Sequence, residues 1–227
     1  MALPSFRVTE LRRRERYPNL LASWGFGEGS GTVARDSSDR GNNLAVAGTL
    51  TWPAGHSGGT GLGNAGVTGS ASGPWTLSGS AITLMGWVRP LDLTAGATQA
   101  LFGIWDSADA GGATQVALWA QRGDFGAANV LQGNVRINGG LVGLDGTALT
   151  LNTWTHIAFT YDGTTLRLYR DGTQIGSGSS TGALTAGSLA FSVLPTSSNA
   201  QADDVRVFST ALSAPQIVEL MNTPVAP

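Results

Sequence analysis

Short runs of alternating apolar and polar residues, separated by residues that favour turns, follow one another along most of the chain. The clearest run is 154–161, in which every second residue from Ile157 to Tyr161 is large and apolar. Asp-Gly pairs at 162–163 and 171–172 then interrupt the alternation, and Asp-Gly is typical of tight hairpin turns because these turns need a positive φ. Residues 154–177 are therefore predicted to form a three-stranded meander. The same pattern predicts further strands over 22–27, 44–52, 81–89, 99–105, 114–121, 130–138, 187–194 and 203–209.

Two segments depart from the strand pattern. Nine glycines fall within residues 53–80, which predicts a long surface loop or a weak edge strand there. Near the other end, Ser213 and Gln216 have the spacing of a capping box, and apolar residues follow them at helical spacing. A short helix is predicted from about residue 213 to Asn222.

The composition limits the chemistry and divides the chain by charge. There is no cysteine, which excludes disulfides, thiolate metal sites and a cysteine nucleophile. All 13 basic residues are arginine. Residues 1–20 hold five of these arginines and two glutamates, which gives this segment a net charge of +3, and residues 21–227 carry a net charge of −5. No apolar run follows these arginines as a secretory signal would require, and no stretch approaches the ~20 apolar residues of a membrane span. We predict a basic N-terminal arm (1–20), one sandwich domain (21–227), and synthesis in the cytoplasm without a signal peptide.

Four sequence motifs occur in order between residues 22 and 222. They are Trp24-Gly-Phe-Gly-Glu-Gly-Ser-Gly31 with Ala34-Arg-Asp-Ser-Ser-Asp-Arg-Gly-Asn-Asn43, Ile82-Thr-Leu-Met-Gly-Trp-Val-Arg-Pro90, Trp154-Thr-His-Ile-Ala-Phe-Thr-Tyr-Asp-Gly163 with Arg170-Asp-Gly172, and Asp203-Asp-Val-Arg-Val-Phe208 with Ala211-Leu-Ser213. As an ordered set they resemble laminin-G-like jelly-roll domains of the concanavalin A-like lectin/glucanase superfamily. The resemblance implies an all-β chain: a two-sheet antiparallel β-sandwich (concanavalin A-like jelly roll) with a short C-terminal helix and an N-terminal arm. It does not fix the function, because this fold hosts lectins, adhesion modules, glucanases and passive shells.

The acidic residues do not form the set that a glycoside hydrolase on this fold uses. Such enzymes need two carboxylates about 5 Å apart when they retain configuration, commonly on alternate residues of one strand. None of the four glutamates lies in such a strand, and Asp203 and Asp204 are adjacent, so strand alternation predicts that they point to opposite faces. His56 and His156 are the only histidines, and no nucleophile elbow accompanies them. We therefore predict a non-catalytic chain.

Calcium is the metal that the sequence favours. Ca²⁺ takes six to eight oxygen ligands, which loops supply from carboxylates, amides and carbonyls. Members of the family that this chain resembles often bring an oxygen-rich first loop beside the Asp-Asp of the closing strand. The predicted ligands of a structural calcium are Asp36, Asn42, Asn43, Asp203 and Asp204. The alternative is that Asp36 caps a turn through its own backbone and Asp204 pairs with an arginine.

The tryptophans are the candidates for sugar contact. Trp87 and Trp154 lie in strands that the resemblance assigns to the core, so they are predicted to be packing residues. The mid-strand His156 is predicted to pack or to hydrogen-bond the backbone. The resemblance fixes the positions of Trp105 and Trp119 in the fold less closely. An exposed tryptophan can stack on a sugar ring while nearby polar groups bind the hydroxyls of that sugar. The predicted carbohydrate-binding residues are Trp105 with Asp106, and Trp119 with Gln121.

The arm adds a hypothesis about assembly. Its arginines suit docking on an acidic protein surface; the acidic body and the lack of interleaved aromatics argue against nucleic acid. Together with the missing signal sequence and the missing catalytic residues, the basic arm favours a phage head-decoration or tail-associated subunit on the virion surface. Such a subunit would dock on capsid or tail proteins and display its lectin-like sandwich to host glycans. The alternatives are a stand-alone carbohydrate-binding or adhesion module and, last, a glycoside hydrolase; a homo-oligomer stays open. The docking residues would be Arg7, Arg12, Arg13, Arg14 and Arg16.

Overall fold

Two antiparallel sheets packed face to face make up most of the molecule, as the sequence predicted. The structure, a computed structural model, describes residues 17–66, 68–94, 99–106, 114–121, 130–196 and 198–226. In that part of the chain, no helix is long and apolar enough to cross a membrane.

Within the described residues, sheet 1 has seven strands and is centred on the last of the described strands. Its strands are β1 (Leu20–Trp24), β4 (Leu62–Ala65), β6 (Ile82–Pro90), β11 (Thr155–Tyr161), β12 (Thr165–Arg170), β13 (Thr173–Ser179) and β15 (Asn199–Phe208). The order is β1–β15–β6–β11–β12–β13, and β4 also pairs with β15. The predicted meander is confirmed as β11–β12–β13. At its first turn Asp162 Oδ1 accepts hydrogen bonds from the backbone N–H groups of Thr164 (3.0 Å) and Thr165 (2.8 Å).

Sheet 2 has eight strands in the part of the chain that the structure describes. They are β2 (Val33–Ala34), β3 (Leu44–Gly48), β5 (Gly69–Trp75), β7 (Gln99–Asp106), β8 (Thr114–Gln121), β9 (Gln132–Ile137), β10 (Gly140–Asp145) and β14 (Leu189–Val193). They follow the order β10–β9–β8–β7–β14–β5–β3–β2.

The prediction of a loop or weak edge strand over 53–80 is wrong for β5. This strand lies inside sheet 2, between β14 and β3. Its inward positions are mostly small, and at Gly73 an added Cβ would lie 2.8 Å from the carbonyl oxygen of Asn43. Neighbouring backbone therefore approaches β5 closely, and the strand needs small residues that carry no apolar alternation.

The core lies between the sheets. Trp24 from sheet 1 is fully buried and stacks on Phe191 from sheet 2, with ring centroids 4.8 Å apart. At Gly133 of β9 an added Cβ would lie 2.3 Å from the ring of Phe159 in β11, so the sheets meet there without a gap. The indole Nε1 of Trp24 donates to the carbonyl oxygen of Asn42 at 2.9 Å, which ties the core to the first loop.

The predicted C-terminal helix is confirmed as α1 (Ala214–Met221). Gln216 Oε1 accepts the backbone N–H of Ser213 at 2.9 Å, which is one half of the predicted capping box. Ile217 and Leu220 are buried against the outer face of sheet 1, together with Met85 and Phe208.

Candidate functional site

The outer faces of the two sheets differ in what covers them. Helix α1 and the apolar side chains beneath it pack on sheet 1, whereas no described helix packs on sheet 2. Antiparallel sheets can leave one face to solvent or ligand. The outer face of sheet 2 is therefore the broadest candidate for a binding surface.

The centre of this face is a row of small side chains that crosses the strands. Side chains opposite each other in neighbouring strands share a face, and the register aligns Ser192, Gly103, Ala117, Asn134 and Gly143 across five strands. At Gly103 an added Cβ would lie 2.6 Å from Ala117 Cβ. The row is thus made of small side chains with larger ones on either side, and its central members Gly103, Ala117 and Asn134 are buried.

Trp105 and Trp119 stand on opposite sides of the Gly103–Ala117 pair in this row, and their rings meet across it. Their ring centroids are 6.2 Å apart at an interplanar angle of 84°, and both pack with Ala100 and Ala117 outside the main core. Trp105 is half-buried and Trp119 is buried. The structure therefore brings together the two tryptophans that the sequence proposed for sugar contact.

Buried amide side chains complete the face. Asn134 and Gln99 are 1% and 2% exposed, and Asn134 Oδ1 and Gln99 Oε1 have no hydrogen-bond partner among the described residues. Gln132 Nε2 donates to Asp145 Oδ1 at 2.7 Å. Buried acceptors outside the core are costly unless a donor from solvent or a ligand reaches them. The sequence analysis missed Asn134 and Gln99, because an amide within a strand carries no distinguishing signal.

Of the two polar partners predicted for the tryptophans, the structure describes the side chain of Asp106 only. Asp106 pairs with Leu189, whose side chain is in the core, so Asp106 points to the opposite side of the sheet from Trp105, at the end of β7. The side chain of Gln121 lies outside the described part of the structure. Both assignments stay predictions as far as ligand contact is concerned.

A second aromatic cluster lies on the outer face of sheet 1. The exposed His56 stacks on Trp87, with ring centroids 3.4 Å apart, and meets the edge of Trp154 at 6.1 Å. Trp87 and Trp154 are half-buried and lie outside the core, so the prediction that they pack in the core is wrong. The strand alternation turns Trp87 outward, and the loop that carries His56 covers it.

His156 lies under this cluster and is fully buried. Its ring meets Trp87 edge-on at 5.4 Å, and neither ring nitrogen has a hydrogen-bond partner among the described residues. Burial, reinforced by the positive charges of Arg206 and His56, lowers the pKa of His156 to about 3. The packing role predicted for His156 agrees with this environment.

Asp36 organises the first loop through both of its carboxylate oxygens. Oδ1 accepts the backbone N–H of Ser23 (3.0 Å) and of Ser38 (2.8 Å), while Oδ2 accepts the Ser38 hydroxyl (2.8 Å) and the N–H of Asn42 (2.9 Å). Asn43 Oδ1 accepts the N–H of Asp36 at 2.9 Å. Three of the five predicted calcium ligands thus lie together, in the turn-capping arrangement that was the alternative.

Asp203 and Asp204 both contact the loop that carries His56. Asp203 Oδ2 accepts the N–H groups of His56 (2.8 Å) and Ser57 (3.4 Å), and Asp204 Oδ2 accepts the Ser57 hydroxyl (3.0 Å). The prediction that they point to opposite faces is wrong, because β15 is irregular at this point and Asp204 has a φ of 50°. Burial, and then the charge of Asp204, raises the pKa of Asp203 to about 6 despite the N–H donors around it.

A peptide segment around Val225 lies between the first loop, which carries Asp36, and the closing strand, which carries Asp203 and Asp204. The N–H of Val225 donates to Asp204 Oδ1 at 2.7 Å, and the Ser37 hydroxyl donates to the carbonyl oxygen of Ala226 at 3.0 Å. Among the described residues, no group of three or more acidic or histidine side chains could hold a metal ion. The oxygens already accept protein donors, so the residues as arranged do not fit a shared calcium ion. Its binding in solution stays a prediction.

The predicted docking residues Arg7, Arg12, Arg13, Arg14 and Arg16 lie outside the described residues. The structure describes the chain from Tyr17, whose ring meets Phe208 edge-on at 6.2 Å.

Comparison with known proteins gives one family. Residues 61–218 match the family model described as the concanavalin A-like lectin/glucanases superfamily. Comparison with curated proteins by sequence found no match.

Solved structures share the fold at low sequence identity. Domain 4 of AbnA, an extracellular arabinanase from Geobacillus stearothermophilus solved with arabinotriose, superposes with a TM-score of 0.66 at 19% identity, over 90% of this chain and 98% of that one. The ligand-binding domain of botulinum neurotoxin serotype D, solved with N-acetylneuraminic acid, gives 0.69 at 12% identity, over 89% of this chain. The binding domain of Paraclostridial Mosquitocidal Protein 1 gives 0.67 at 17% identity, over 91% of this chain. The chain spans 50% and 52% of the two toxin domains, respectively.

Proposed function

Since the chain belongs to the concanavalin A-like lectin/glucanase superfamily, we propose that it is a non-catalytic carbohydrate-binding module whose glycan lies on the outer face of sheet 2. The observation that carries the proposal is the combination of Trp105 and Trp119 with the buried, unpartnered acceptor of Asn134. A sugar offers an apolar ring face to an indole and hydroxyl donors to an amide oxygen, so one ligand satisfies both.

The ligands of the structural neighbours support this class. The arabinanase domain was solved with arabinotriose and the neurotoxin domain with N-acetylneuraminic acid. The two sugars differ in charge and linkage, so they support a glycan ligand and leave its identity to experiment.

The positions of Asp203 and Asp204 support the absence of catalysis. Asp203 and Asp204 are both 2% exposed, and each accepts hydrogen bonds from the loop around His56. Their carboxylates are therefore turned away from the outer face of sheet 2, where the glycan is proposed to lie. A retaining hydrolase would need two carboxylates about 5 Å apart on either side of a bound sugar.

The test is a glycan array on the full chain, followed by titration of the best ligand. Trp105→Ala and Asn134→Ala should each weaken binding about tenfold or more, since removing an aromatic anchor or a buried hydrogen-bond partner costs on that order. Trp154→Ala is the matched control, because it removes a half-buried indole from sheet 1, and it should bind as the unaltered chain does. Circular dichroism of each variant separates a lost contact from a lost fold. Unchanged binding by Trp105→Ala, or an array without any bound glycan, would contradict the proposal.

We further propose that the module is displayed on a virion, as a phage head-decoration or tail-associated subunit. The support is the basic charge of residues 1–20 beside an acidic body. Because β1 begins at Leu20 and Tyr17 packs on Phe208, a clean test deletes residues 1–16 only. Light scattering after size exclusion should show co-elution of the full chain with virion shells and loss of co-elution on deletion. A second variant keeps the full length but has Gln in place of Arg12, Arg13, Arg14 and Arg16. It should also fail to co-elute with the virion shells. Co-elution that survives both changes would contradict docking by the arm.

A further inference from the structure

The gap between the first loop and the last strand is crossed by residues 223–226, here called the strap. Val225 is buried, its N–H donates to Asp204 Oδ1 at 2.7 Å, and Ser37 donates to Ala226 O at 3.0 Å. Arg206 Nη2 donates to the carbonyl oxygen of Thr223. The strap is thus attached to the strand at two points and to the loop at a third.

The strap also fits the backbone around it closely. An added Cβ at Gly25 would lie 2.9 Å from the carbonyl oxygen of Val225 and 3.1 Å from its Cβ. Gly25 follows directly after β1, and its lack of a side chain lets the strap approach the backbone closely at this point.

The carboxylates that could have held calcium are engaged on both sides of the strap. Asp36 accepts four protein donors, and each oxygen of Asp203 and Asp204 accepts at least one. Calcium needs six to eight oxygens directed at one point. Here the oxygens point at backbone and hydroxyl donors instead, and the peptide N–H of Val225 supplies the positive end of a dipole to Asp204.

We propose that the strap does the work of a structural calcium ion in this chain: it joins the first loop to the closing strand, so the fold is independent of calcium. The N–H of Val225 takes the place of the cation on Asp204. The carbonyl of Ala226 takes the place of a bridging ligand to the first loop.

Thermal unfolding of the full chain, in excess CaCl₂ and in EGTA, tests the first half of this proposal. The melting temperature should be the same in both to within about 1 °C, because a ligand that binds only the folded state raises stability and one that does not bind leaves it unchanged. A saturable rise in melting temperature with calcium, or stoichiometric calcium binding by calorimetry, would overturn it.

Two substitutions at one position test the second half. Val225→Pro keeps apolar bulk but removes the N–H, whereas Val225→Ala keeps the N–H and removes two methyl groups. Val225→Pro should lower the melting temperature by about 4–8 °C, more than Val225→Ala does, and should speed amide exchange at residues 36–38. If Val225→Pro melts as the unaltered chain does and residues 36–38 stay protected, the strap does not hold the loop.

Discussion

One carboxylate, that of Asp36, holds the loop between β2 and β3 in place. It accepts four hydrogen bonds from backbone and hydroxyl donors, and these donors come from both β1 and the loop itself. An amide at this position would turn its NH₂ group toward one pair of these donors. Asp36→Asn should therefore lower the free energy of unfolding by about 2–4 kcal/mol.

Urea denaturation of matched variants checks this expectation. Asp39→Asn removes the same charge from the same loop at an exposed position, and it should cost less than about 1 kcal/mol. Equal losses from the two substitutions would mean that charge, and not the hydrogen bonds of Asp36, sets the stability of the loop.

The buried His156 makes stability depend on pH. Its pKa is lowered to about 3 in the folded chain from 6.5, so below pH 6.5 the unfolded state binds a proton that the folded state does not. Stability that is fully present above pH 6.5 is therefore lost as the pH falls, by about 2 kcal/mol between pH 7 and pH 5. Asp203 acts in the opposite direction between its ordinary pKa of 3.8 and its folded pKa of about 6, because there the folded state holds the extra proton.

A comparison of variants separates these opposing trends. His156→Phe keeps an aromatic ring beside Trp87 but cannot take a proton, so its stability relative to the unaltered chain should rise as the pH is lowered from 7 to 5. Chemical denaturation at both pH values gives this difference. A constant difference between the two proteins would show that His156 titrates alike in the folded and unfolded states.

Strand β5 lies close to the neighbouring backbone because Gly73 has no side chain. At Gly73 an added Cβ would lie 2.8 Å from Asn43 O, which is backbone and cannot rotate away. Gly73→Ala should cost about 1–3 kcal/mol through displacement of β3 from β5. Gly140→Ala in β10 is the control, because the Cβ there meets nothing closer than 3.6 Å, and it should be near neutral in urea denaturation. A near-neutral Gly73→Ala would show that β3 and β5 can separate at little cost.

Strands were predictable where the alternation involved large side chains. In β6 and β11 large apolar residues recur at every second position, as Ile82 and Leu84 and as Ile157, Phe159 and Tyr161, and both strands were predicted within one or two residues. β5, with the sequence Gly-Ser-Ala-Ser-Gly-Pro-Trp, was missed, since its mostly small inward residues give no periodic signal. β10 was missed as well, although Val142 and Leu144 pack against the core. At the site, residue type alone selected Trp105 and Trp119, whereas the contact of His56 with Trp87 depends on a loop that returns across sheet 1 and has no signature in the sequence.

The two sheets share one core and should unfold together. Its buried residues come from both sheets, among them Trp24, Phe102, Phe159 and Phe191, so neither sheet keeps a covered inner face without the other. Near-ultraviolet circular dichroism, which reports the packed tryptophans, and far-ultraviolet circular dichroism, which reports the strands, should give coincident unfolding curves. Two separated transitions would mean that one sheet persists alone.

The position of β15 has a consequence for synthesis on the ribosome. This strand, Asn199–Phe208, lies between β6 on one side and β1 with β4 on the other. Three strands that are synthesised earlier therefore pair with it. Until residue 208 has emerged, β1 and β6 present unpaired backbone edges, which is the state in which nascent β-proteins associate wrongly. The free edges of β1, β4 and β6 are therefore paired only when β15, the last strand to be synthesised, closes sheet 1.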